Sequence, residues 1–252
     1  DARAQPNECA AACTAAVDAG YRMIDTATTY GNERDVGLAL RGRPHIFIVT
    51  KLDPKDHGAD RTAAAIDASI AMLGKIDLYL LHNPDGGRVV ETWRAMSGAK
   101  RAGKCRAIGV SNFGAAQLEA LLRAGGEVPD VNQIELHPWL QQQETVACCR
   151  AHGIVVMGYC PLARSQMFGC TKLCDLATAW GRPEVECLLR WALPKSFVAI
   201  PKSSSPERIA TNAGVFAFEL NEAQMESIDA LDIVGHFKAT TSVNSMETPW
   251  GD

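Results

Sequence analysis

The sequence predicts an α/β protein built as a barrel of repeated strand–helix units, and three observations predict it. Short runs rich in β-branched and aromatic residues alternate with longer Ala/Leu-rich segments of helical period, as consecutive βα units require. No linker rich in Ser, Gly or Pro divides the 252 residues, a length at which such barrels commonly form one domain. Asp25, Tyr30, Lys51 and His82 fall at or just past the ends of three successive apolar runs, YRMIDTATTY, HIFIVTK and IDLYLLH. In a parallel barrel the loops after the strand C-termini converge on one face, so these groups would meet there.

The elements follow in order. A helical segment at 7–19 precedes a strand at 21–26. Helices at 33–41, 60–73, 88–102, 114–124 and 140–151 then alternate with strands at 46–50, 77–82, 107–111, 130–135 and 155–159. A helical stretch at 171–192 is interrupted at Gly181 and Pro183, since neither residue continues a helix well. A seventh strand at 197–201 leads to helices at 206–213 and 221–231, the last with Asn221 as N-cap and Gln224 three residues on. The expected fold is a (β/α)8 TIM barrel in one domain over residues 1–252. Seven strands are one short of eight, and an unclosed barrel exposes two sheet edges. The chain is therefore expected to lack a first strand at its N-terminus, or to carry an element that compensates.

The formal net charge of -4, from 25 Lys and Arg against 29 Asp and Glu, gives no reason to expect nucleic acid or an acidic membrane as partner. No apolar run is long enough to span a bilayer, and DARAQPNE does not resemble a signal peptide. The nine cysteines are scattered through apolar or helical stretches, with Cys148 and Cys149 adjacent and Cys9/Cys13 and Cys170/Cys174 four apart. No CxxC or HExxH accompanies them, so free thiols in a reducing compartment are expected and no metal. A cytoplasmic monomer acting on a small molecule is the expectation.

Three motif strings fail or are missing. Residues 98–104, GAKRAGK, satisfy G-x-x-x-x-G-K, but they end a helix before a strand, and Cys105 stands where a magnesium-binding Ser/Thr belongs. GVSNFG, 109–114, has one residue too many for a nucleophile elbow. No G-x-G-x-x-G follows any strand, so a nicotinamide cofactor would need a scaffold other than the Rossmann domain.

Each of the four clustered residues alone has an ordinary structural explanation, as a turn residue, a solvated strand end or a loop aromatic. Together they suit reduction of a C=O group by a hydride source. A phenol is a weak acid at neutral pH, an adjacent ammonium favours its phenolate, and a carboxylate keeps that ammonium charged and in place. A neutral imidazole adds a donor that polarises the carbonyl.

Eight stretches resemble the aldo-keto reductase family: GYRMIDTATTYGNE (20–33), IVTKL (48–52), IDLYLLHNP (76–84), GKCRAIGVSNF (103–113), VNQIELHP (131–138), MGYCPLA (157–163), LLRWAL (188–193) and AIPKSSSPERIATN (199–212). The resemblance runs to about residue 232. It implies carbonyl reduction with NADPH bound in extended form across the C-terminal face, Tyr30 as general acid, and Asp25, Lys51 and His82 completing the tetrad. It further implies that Ser111, Asn112 and Gln133 hold the nicotinamide carboxamide, that Tyr159 stacks on the ring and that Leu162 contacts the cofactor. Lys202, Ser203 and Arg208 would take the adenosine 2′-phosphate, with Asn212 near the adenine. The residues around them agree with an anion site: Ser205 is a candidate N-cap and Pro206 a first-turn residue, so helix N–H groups would face the phosphate. NADP is favoured over NAD because a guanidinium forks onto phosphate.

Two positions depart from the family pattern. Asp53 and Asn83 stand where the family frequently has Trp, which predicts a wetter pocket for smaller carbonyls. The IELHPWLQQ stretch and the short C-terminal tail resemble the diketogluconate reductase-like, small-carbonyl branch. The alternative is a non-catalytic NADP-binding regulatory subunit on the same fold. Reaction direction in the cell depends on the cofactor pool and is open at this level.

Overall fold

The computed structural model describes residues 8–233. The expected helix start at Asn7 and the C-terminal tail lie outside the described residues. Among the described residues seven strands form one parallel sheet in chain order: β1 (Met23–Asp25), β2 (Phe47–Leu52), β3 (Leu78–Leu81), β4 (Ala107–Ser111), β5 (Val131–Glu135), β6 (Val155–Tyr159) and β7 (Val198–Ile200). The described helices are α1 (Glu8–Asp18), α2 (Glu33–Ala39), α3 (Ala59–Leu73), α4 (Val89–Arg101), α5 (Ala115–Arg123), α6 (Gln143–Ala151), α7 (Thr171–Trp180), α8 (Glu184–Ala192), α9 (Pro206–Ala213) and α10 (Glu222–Asp229). Gly181, in the left-handed region at φ 62°, and Pro183 separate α7 from α8, as the sequence predicts.

Alternation along the strands separates two apolar layers. Val49, Leu78, Leu80, Val131 and Met157 form one buried cluster that fills the barrel. Ile48, Tyr79, Leu81, Ile108 and Val110, of the opposite parity, pack outward with the helices in a second cluster. Helices α1 to α8 and α10 each offer apolar residues to that layer; α3, for example, buries Thr62, Ile66, Ser69 and Leu73 at helical spacing. The period of two then decides what lies at the top of the barrel. Asp25 is two residues beyond Met23, Lys51 two beyond Val49, His82 two beyond Leu80, Ser111 two beyond Gly109, and Gln133 two beyond Val131. These five interior rows therefore pass from small or apolar residues to polar ones at the C-terminal end of the barrel.

Among the described residues β1 pairs only with β2 and β7 only with β6, so the barrel is nearly closed and no described strand fills its last seam. The helical layer covers the seam: α1 packs against α9, and the Tyr21 phenol donates to the Ile209 carbonyl at 3.4 Å. Both edge strands are three residues long, which leaves few backbone groups without a ladder partner.

Candidate active site

β1 delivers Asp25 to the mouth, and the chain then turns through a short 3-10 segment, Thr28–Tyr30, closed by Gly31 at φ 67°. Glycine adopts that left-handed conformation without strain. Two bonds hold the turn in place: Thr28 Oγ1 donates to the Lys51 carbonyl at 3.0 Å, and Thr26 Oγ1 donates to Asn32 Oδ1 at 2.6 Å. Tyr30 is thereby folded back over β2. Lys51 sits inside β2, one residue short of its end, rather than past it, and His82 is the first residue after β3.

The structure brings all four groups together. Lys51 Nζ donates to Asp25 Oδ1 at 2.5 Å and to the Thr26 carbonyl at 2.8 Å. The same ammonium lies 5.1 Å from the centroid of the Tyr30 ring, and the Tyr30 and His82 rings meet edge-on at 5.9 Å and 82°. Lys51 is 1 % exposed. Burial works against its charge, but the attraction of Asp25 and Tyr30 outweighs that penalty and holds the ammonium above its ordinary pKa. It is a cation at neutral pH.

His82 is perturbed the other way. Burial first and the Lys51 cation second, against a smaller pull from Asp53, bring its pKa down to about 4. The imidazole is neutral through the physiological range, with Thr29 Oγ1 3.4 Å from Nδ1. This shift has a stability consequence. Between about pH 6.5, where an unfolded histidine titrates, and pH 4, the unfolded chain binds the proton and the folded chain does not, so acidification destabilises the fold. His82→Gln is expected to flatten part of the fall in urea midpoint between those pH values, and an unchanged slope would show that His82 does not carry it.

Four of the expected cofactor contacts share the mouth. Ser111 Oγ donates to the Gln133 carbonyl at 2.9 Å, and Asn112, at φ 62°, donates from Nδ2 to the His82 carbonyl at 2.9 Å. The Tyr159 hydroxyl donates to Asn112 Oδ1 at 2.8 Å, and Gln133 Nε2 donates to Asp25 Oδ2 at 2.7 Å. Leu162 caps the short turn Ala163–Ser165 after β6 and packs against the outer core. The remaining group lies beyond β7. Ser205 caps α9, its Oγ accepting from the Arg208 N–H at 3.3 Å; Lys202 and Arg208 are exposed, Ser203 is half-buried and Asn212 is buried.

Several supporting contacts were not anticipated from the sequence. Gln133, expected only as a cofactor contact, also ties Asp25 in place; Glu33, itself buried, accepts from Thr50 Oγ1 at 2.6 Å, and Glu135 meets His137 at 3.1 Å with both fully buried. Asp53 and Asn83 also have local work. Asp53 Oδ1 accepts from Lys55 N at 3.1 Å and Asn83 Oδ1 from Asp85 N at 3.0 Å, each before a proline that opens a 3-10 turn. The Asp-Pro and Asn-Pro pairs were the sequence signal for those turns.

A parallel barrel with its ionisable groups gathered at the C-terminal mouth has the arrangement on which barrel enzymes build their active sites. The description "Aldo/keto reductase family" matches residues 1–233. The chain is 40 % identical over 250 residues to morphine 6-dehydrogenase of Pseudomonas putida, covering 91 % of this chain and 84 % of that one. It is 39 % identical over 232 residues to glyoxal reductase of Bacillus subtilis, covering 90 % and 84 %. A crystal structure of an aldo-keto reductase from Bombyx mori in complex with NADP superposes with a TM-score of 0.84 at 33 % identity, over 91 % of this chain and 84 % of that one. The chain belongs to the aldo/keto reductase family, a family of carbonyl-reducing oxidoreductases. Among the described residues no helix is long and apolar enough to cross a membrane.

Proposed function

We propose that this chain reduces an aldehyde or ketone to the alcohol using NADPH, with Tyr30 as the general acid. The observation that carries this reading is the buried Lys51 ammonium, held on one side by Asp25 at 2.5 Å and facing the Tyr30 ring on the other. As Tyr30 gives its proton to the carbonyl oxygen, negative charge develops on the phenol, and a fixed cation in a poorly solvated site stabilises it strongly. Asp25 and Gln133 keep Lys51 from turning away. Neutral His82 donates a hydrogen bond that orients the carbonyl beside Tyr30.

The donor set fits NADPH, which when bound supplies the hydride. Asn112 and Gln133 offer amide groups matched to a carboxamide, and Tyr159 an aromatic face. The Ser205-capped start of α9, with exposed Lys202 and Arg208, suits a phosphate. Arg208→Ala is expected to weaken NADPH binding by roughly tenfold or more while NADH changes little, since a charge-assisted pair to phosphate is worth about 1.5–3 kcal/mol. Fluorescence titration with both cofactors checks this, and an equal loss for both would move the 2′-phosphate elsewhere.

One relative is named for glyoxal and another for morphine, so family similarity alone leaves the substrate open. The short polar Asp53 and Asn83 at the mouth favour small polar carbonyls, in keeping with the small-carbonyl branch. We take the enzyme to be a cytoplasmic, single-domain monomer. NADPH oxidation measured with a panel of simple aldehydes tests the reading; tight cofactor binding without turnover of any carbonyl would favour the regulatory-subunit alternative.

A further inference from the structure

On the outer wall of the barrel, away from the mouth, α5 and α6 bring three metal-ligating side chains together. Cys148 lies on α6, and His152 follows four residues later as its C-cap, which sets both side chains on one face; Glu119 projects from α5. Cys148 Sγ donates to Glu119 Oε1 at 3.7 Å, and His152 Nε2 lies 3.2 Å from the same oxygen. One ligand atom from each residue lies within 4.8 Å of the other two.

We propose that Glu119, Cys148 and His152 form a binding site for a zinc-class divalent ion that clips α5 to α6. The separations carry the argument. Tetrahedral zinc with ordinary bond lengths holds its sulfur and oxygen ligands about 3.6 Å apart and its nitrogen and oxygen ligands about 3.4 Å apart. The structure has 3.7 Å and 3.2 Å, so these pairs need to move by only a few tenths of an ångström. A thiolate, an imidazole and a carboxylate select zinc over magnesium or calcium, which take oxygen ligands. Three protein ligands leave a fourth position for water. The second carboxylate oxygen, Oε2, stays with Arg123 at 3.9 Å.

Binding needs the Cys148 thiolate, so one proton passes to solvent as the Zn–S bond forms. Burial and the Glu119 carboxylate raise the thiol pKa, and the ion therefore competes with that proton. Cys148 and Glu119 belong to different helices and lie 29 positions apart, which hides the site from spacing rules.

Calorimetric titration of the full chain with zinc chloride, in the presence of a thiol-free reductant, tests the proposal. The wild type is expected to bind one high-affinity equivalent with release of a proton, and Cys148→Ser, His152→Ala and Glu119→Gln each to lose at least tenfold in affinity. Cobalt should give a thiolate charge-transfer band that disappears in Cys148→Ser. Saturating zinc should raise the melting temperature of the wild type but not of Cys148→Ser or His152→Ala. Metal-free melting curves show whether each variant is folded, and carbonyl reduction should be unchanged because these side chains lie far from the mouth. Absence of saturable binding, or equal binding by the wild type and the Cys148 and His152 variants, would overturn the site.

Discussion

Tyr30→Phe is expected to lower kcat by about 10³-fold while NADPH affinity stays within twofold of the wild type. The phenolic oxygen is the only heavy atom lost. General acid catalysis by a positioned side chain contributes roughly 10²–10⁴-fold, and this acid has a fixed cation beside it. The ring keeps its edge contact with His82, 5.9 Å between centroids, so the pocket should retain its shape. Steady-state kinetics with an aldehyde and fluorescence titration with NADPH separate the two quantities. Comparable losses in both would mean that the hydroxyl serves cofactor binding instead.

Lys51→Met should be damaging twice over. Without the ammonium, charge developing on Tyr30 has no counter-ion, and kcat is expected to fall by about 10²–10³-fold. The fold should also suffer. Asp25, whose side chain is 13 % exposed, would keep Gln133 as a donor but lose its cation, and breaking a buried pair at one end costs about 3 kcal/mol. Urea denaturation measures that cost. The double variant Asp25→Asn, Lys51→Met should recover much of the stability and none of the activity, because it removes the uncompensated carboxylate without restoring the counter-ion. A single Lys51 variant with wild-type rate would remove Lys51 from the proton transfer, and one with wild-type stability would show the pair to be energetically idle.

The strands and the four central residues were legible for the same reason. Strands buried on both faces read as apolar runs, and an ionisable residue closing such a run stands out. Asp25, Lys51 and His82 close three interior rows in this way, and Tyr30 follows the first, just before the left-handed Gly31. What stayed hidden was pairing between distant elements. Gln133 reaches Asp25 across 108 positions, and Glu33 meets Thr50 across 17. No periodicity links such residues; only closure of the barrel does. The seam between β1 and β7 was foreseen as a problem, but its cover by α1 against α9 depends on helix packing that no local pattern encodes. Asp53 and Asn83 read as missing aromatics, although the prolines after them marked the turns they cap.

The most direct measurement of the central claim is single-turnover reduction of an aldehyde by enzyme-bound NADPH carrying deuterium at the transferring position. The wild type should place deuterium on the carbinol carbon at a rate that falls when the solvent is changed to D2O, because Tyr30 delivers the proton in the same step. Tyr30→Phe, with its cofactor site filled, should show almost no transfer. Transfer by that variant at the wild-type rate would contradict a proton donated from residue 30.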